Sequence, residues 1–183
     1  MNILQTILIL AVAFLAVFAE VTFPVLRHWL GAQVDLLPVL MVYAALNLDI
    51  VTVSLLAVLG GLWFDALSAN PLGISILPLY TVGFLVHFRH DLILRELSFA
   101  QLVLGTVASA VVPVLSVLLL LTAGKPPLLG WGSIWQWIVL TAGGAAATPL
   151  VFALFNWCNH ALGYQPRTET SFRSDREIRR GRL

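Results

Sequence analysis

Charge is what this chain is shortest of. Only 10% of its 183 residues are Asp, Glu, Lys or Arg, where a soluble globular chain carries about 25%. That deficit excludes an ordinary water-facing fold. Cysteine is reduced to one residue, Cys158, which excludes an intrachain disulfide and makes a thiolate metal centre untenable. Histidine is scarce as well. His87 and His90 stand three apart with Asp91 beside them, but no third ligand follows, so they read as part of an interfacial loop among arginines. His28 and His160 are isolated. Ser54, Ser75 and Ser109 have no histidine at a spacing that builds a nucleophilic triad. There is no phosphate-binding glycine loop, and Gly143-Gly144 reads as helix packing. These absences leave no catalytic residue, cofactor site or metal site to nominate, and the expectation is a protein that is not an enzyme. The first seven residues hold no Lys or Arg. Although Ala19-Glu20 resembles a signal-peptidase site, the positive leading segment is missing, and the first apolar run reads as an uncleaved span.

What the chain has is apolar length. Hydrophobic residues make up 60% of it, and its mean hydropathy is +0.95. Six apolar runs can be traced: 3–26, 34–48, 50–69, 72–88, 98–123 and 134–161. A span needs about 20 residues, so the second run is marginal, and Asn47-Leu48-Asp49 is the only break before the third. In lipid every backbone group needs an internal partner, so the runs must be helices. The fold expected is an all-α membrane bundle of six spans over 1–161, with a basic tail at 162–183.

Arginine orients the bundle. Arg89 and Arg95 lie in the loop between the fourth and fifth runs, and six more arginines lie in the tail. Only Arg27 and Lys125 fall on the other side. Eight positive residues against two place both termini in the cytoplasm of a bacterial inner membrane. Trp131, Trp135 and Trp137 then open the sixth span at the outer interface, with Trp157 near its inner end and Trp29 in the first outer loop. The tail, "YQPRTETSFRSDREIRRGRL", suits anionic lipid or a cytoplasmic protein rather than nucleic acid. Its Ser174-Asp175-Arg176-Glu177 matches a capping box, so it reads either as a short partnered helix or as a disordered positive-inside tail.

Helices in lipid associate through small and polar residues. The third run shows such a stripe in Ser54, Ala57, Gly61, Asp65 and Ser68, with Leu55, Leu56, Leu59 and Leu62 opposite. The fifth shows Gln101, Gly105, Ser109, Val112 and Ser116, with Pro113 freeing the Ser109 carbonyl. The sixth shows Thr141, Ala145, Thr148, Phe152, Asn156 and Asn159, with Pro149 freeing the Ala145 carbonyl. The first sets Thr6, Ala13, Glu20 and Arg27 on one face. In this topology Glu20, Asp35, Asp65 and Arg27 gather in one outer layer. Ionisable groups inside spans are costly, pair with one another and often mark function. Asp65 is expected to face the bundle and be satisfied by Arg27 or by backbone donors. The competing reading is a plain cap on the loop that follows. Asn70-Pro71-Leu72-Gly73 has the chemistry of a tight turn.

The segment "GLWFDALSANPLG", residues 61–73, together with length and hydropathy, resembles the MreD family of bacterial rod-shape proteins. The matching positions are Gly61, Asp65, Pro71, Leu72 and Gly73, and "VDLLPVLMVYAAL" with Asp35 and Pro38 is similar to the family's second-span opening more loosely. The resemblance covers little more than that stretch. It implies a bundle similar to the substrate-binding subunits of energy-coupling-factor vitamin transporters. It also implies a subunit of the cell-elongation complex that works with MreC, MreB and the glycan polymerase–transpeptidase pair of side-wall peptidoglycan synthesis. The same fold leaves a second expectation open, a small-molecule-binding subunit of a vitamin-type transporter.

Overall fold

The computed structural model describes residues 3–22, 31, 34–68, 71–89, 98–124 and 130–161. Among these there are six helices and no strand: α1 (Ile3–Thr22), α2 (Leu37–Asn47), α3 (Ile50–Leu67), α4 (Ile76–Phe88), α5 (Ser98–Thr122) and α6 (Trp131–Ala161). Four of them, α1, α3, α5 and α6, are long and apolar enough to cross a membrane. The other two are shorter. The described part of the chain is therefore all-helical, with the build of a membrane protein.

Local chemistry sets the helix bounds. The second run yields only eleven helical residues, because Val34–Leu36 stay outside and Leu48 turns extended at the far end, its N–H bonded to the Ala44 carbonyl. The fourth run starts its helix at Ile76, four residues later than its hydropathy implies, since Pro71–Ser75 are spent in a turn. The sixth starts at Trp131, three residues early. There the Ser133 hydroxyl accepts the Gly130 N–H at 3.3 Å while the Ser133 N–H bonds the Gly130 carbonyl, a reciprocal cap on the first turn.

The core is built around α2. Leu37 to Leu46 are all buried, because α2 touches each of the other five helices. Tyr43 fills the space toward α6. Its ring stacks on Phe155 at 4.4 Å and meets Phe152 edge-on at 5.1 Å. From α1 come Ile9, Ala13 and Val17, and from α3 Val53, Leu56 and Ala57. Thr6 and Thr52 join the starts of α1 and α3 through a buried hydroxyl pair at 2.9 Å.

Two stripes match the buried faces only in part: Ala57, Gly61 and Asp65 on α3, and Thr148 and Phe152 on α6, are inside as expected. On α3 the buried face runs through Thr52, Val53, Leu56, Ala57, Gly60, Gly61 and Asp65. Leu56 is inside, and Ser54, half-buried, returns its hydroxyl to the Ile50 carbonyl. On α6 Gly144, Thr148, Phe152 and Phe155 face inward while Asn156 is exposed. In both helices bulky apolar side chains reach the core beside the small ones, because α2 supplies a surface for them to pack on.

α5 and α6 approach through a reciprocal pair of glycines. A Cβ on Gly105 would lie 1.7 Å from Thr148 Oγ1 and 2.7 Å from its Cβ. One on Gly144 would lie 1.8 Å from Ser109 Oγ and 2.5 Å from its Cβ. Each helix thus seats a hydroxyl side chain on the other's glycine. Thr148 donates its hydroxyl to the Gly144 carbonyl at 2.7 Å.

Candidate functional site

Asp65 sits on the last turn of α3, 1% exposed. Its two oxygens close the hairpin to α4. Oδ2 accepts the backbone N–H of Gly73 at 2.8 Å and of Ser75 at 3.1 Å, and Oδ1 accepts the Ser75 hydroxyl at 2.5 Å. Buried non-helical backbone needs protein partners for its N–H groups, and Asp65 supplies them. Gly73 holds φ at +94° with nothing near a Cβ, so the turn needs its backbone freedom rather than its small size. Gly61 is different. A Cβ there would lie 2.9 Å from the Ile76 backbone nitrogen, so its bareness lets α3 meet the start of α4. Pro71 offers its carbonyl to the Ile74 N–H at 3.4 Å. Asp65, Pro71 and Gly73 therefore share one hydrogen-bonded turn, and Gly61 lets α4 start against it.

Glu20 and Asp35 form a second unit. Glu20, near the end of α1, accepts the Leu36 N–H on Oε1 at 2.8 Å. Asp35 accepts the Leu37 N–H on Oδ1 at 2.8 Å. The first N–H groups of a helix have no partner inside it and carry partial positive charge, so both acids serve the start of α2. Among the described residues Oε2 of Glu20 is buried with no hydrogen-bond partner. The expected gathering of Glu20, Asp35 and Asp65 thus divides. Two acids meet over α2, and the third is taken up by its own hairpin. Arg27 and Asn70 lie outside the described residues, as do His28, Trp29, His90, Asp91, Arg95, Lys125 and the tail.

The opposite end of α2 has its own polar contact, which sequence reasoning missed. His87 Nδ1, on the last turn of α4, donates to the Ala45 carbonyl at 2.9 Å. Asn47 donates its amide to the Tyr43 carbonyl at 3.1 Å. The clue available was length: an eleven-residue buried helix ends among protein groups, so its orphan carbonyls must find donors on neighbours. Ser75 was likewise weighed only as a nucleophile. Among the described residues no group of three or more His, Cys, Asp or Glu could hold a metal ion. No family model, curated protein or solved structure matches the chain.

Proposed function

We propose that this chain is a non-enzymatic membrane subunit of MreD type in the bacterial cell-elongation complex. The observation that carries the reading is the hairpin of Gly61–Gly73. The segment behind the resemblance is an architectural lock, its single acid used up by the turn it closes. A motif of that kind serves shape, which suits a protein that works by holding partners. The centre supports the same reading, since α2 and the Tyr43–Phe152–Phe155 cluster occupy the middle of the bundle.

In this reading the chain lies in the inner membrane with both termini cytoplasmic. Helix ends and small-residue faces meet MreC. The loop after α4 and the arginine-rich tail meet MreB and the cytoplasmic side of the glycan polymerase–transpeptidase pair. Depletion in the host is expected to round the cells, and the tagged chain is expected to copurify with MreC. Depleted cells that keep their shape but fail to accumulate a vitamin would replace this reading with the transporter one, in which the unpartnered Glu20 oxygen would face a ligand.

A further inference from the structure

The outward apolar bands on two sides of the bundle differ in length. On α5 exposed apolar side chains run from Phe99 to Leu121, ~33 Å of helix at about 1.5 Å per residue. With an ordinary tilt that band matches a hydrocarbon layer of about 30 Å. On α4 they run only from Leu77 to Phe88, ~17 Å by the same rise. Among the described residues exposed Arg89 ends the band on one side. On the other the chain turns, adding one exposed apolar side chain, Leu72. Granting that turn a full helical pitch gives ~22 Å, and any tilt shortens it further. The band is also broad: Tyr80, Phe84 and Phe88 stack along it at 6.0 and 6.2 Å.

α4 cannot slide to a better-matched depth. Its beginning is tied to α3 through Asp65 and Ser75, and its last turn is tied to α2 through His87. The lipid must adapt instead. We propose that the α4 flank thins the bilayer beside it, so that the protein has an ordinary hydrocarbon layer along α5 and a compressed one along α4. The partner of this surface is the membrane lipid itself, in its shorter-chained or more compressible forms. The inference does not depend on the cell-elongation reading.

The test uses the full chain in a Cys158→Ser background, with single nitroxide labels at Leu72→Cys, Phe88→Cys, Phe99→Cys and Leu121→Cys, in dioleoyl-phosphatidylcholine vesicles. All four positions are outward-facing, so labelling should leave the fold intact. All four labels are expected at headgroup depth by accessibility to a water-soluble relaxation agent. A Leu72 or Phe88 label at hydrocarbon depth would mean that the bilayer keeps its thickness and would overturn the proposal. A second readout uses the unlabelled chain. Its thermal midpoint is expected to be lower in dierucoyl than in dimyristoleoyl vesicles, and the reverse order would also overturn the proposal.

Discussion

A buried carboxylate is judged by what it touches. Asp65 accepts three hydrogen bonds within its own hairpin, and each donor left without it carries a desolvation cost of about 1–3 kcal/mol. Asp65→Ala is therefore expected to destabilise by roughly 2–4 kcal/mol, with Asp65→Asn between it and the parent, read from thermal unfolding in detergent. An Asp65→Ala protein as stable as the parent would remove the hairpin lock. Glu20 behaves differently. One oxygen accepts the Leu36 N–H, while the other is buried and unpartnered among the described residues. Glu20→Gln keeps the useful acceptor, so its midpoint is expected close to the parent's. Glu20→Leu, which loses the acceptor, is expected below it. Equal losses in both variants would show that the acceptor is not what matters. At this scale the sequence was half legible. It marked Asp65, Gly61 and Gly73, because an acid and bare backbone among apolar residues stand out. It did not say that Ser75 would be the acid's partner, since a serine ten residues on is an ordinary residue until the turn folds it back.

Elements are held by contacts that composition hides. The α5–α6 pair depends on two glycines that each seat a hydroxyl-bearing side chain. Gly105→Ala and Gly144→Ala both push a Cβ against the Cβ of Thr148 or Ser109, which no rotamer change relieves. Each is expected to cost about 1–3 kcal/mol. Gly132→Ala, with open space around it, is the control expected to leave the midpoint unchanged or slightly raised. If all three behave alike, the close approach is not carrying the pair. On α3, Gly61→Leu is expected to lower folded yield more than Leu62→Ala, because Gly61 abuts the Ile76 backbone and Leu62 faces outward. The stripe of small residues was visible on α5, and the structure uses its Gly105 and Ser109. On α3 and α6 the small-residue rule found part of the inner face, in Ala57, Gly61, Asp65, Thr148 and Phe152, and missed Leu56 and Phe155, which join the core around α2. A helix buried all round has no polar side, so periodicity cannot reveal where it sits.

For the whole molecule, hydropathy was enough to read an all-helical membrane chain. It was not enough to measure helix length, since the second and fourth runs, fifteen and seventeen residues long in sequence, yield helices of eleven and thirteen. The eight-to-two division of positive residues leads us to expect cytoplasmic reporter activity for fusions after Arg89 and Leu183, and periplasmic activity after Ala32 and Leu128. A periplasmic C-terminus would invert the placement of Glu20, Asp35 and Asp65 and undo the assignment of partners to faces.

The buried position of α2 also constrains how the chain can be made. An eleven-residue helix is too short to rest in lipid by itself, and its two ends are served by Glu20, which is synthesised before it, and by His87, which is synthesised forty residues after it. While a ribosome is still extending the chain, α2 has its first support but lacks its second until α4 has emerged. Nascent chains arrested before Ile76 should therefore keep α2 beside the insertion machinery and crosslink to it. Chains arrested well beyond Arg89 should release it into the bundle.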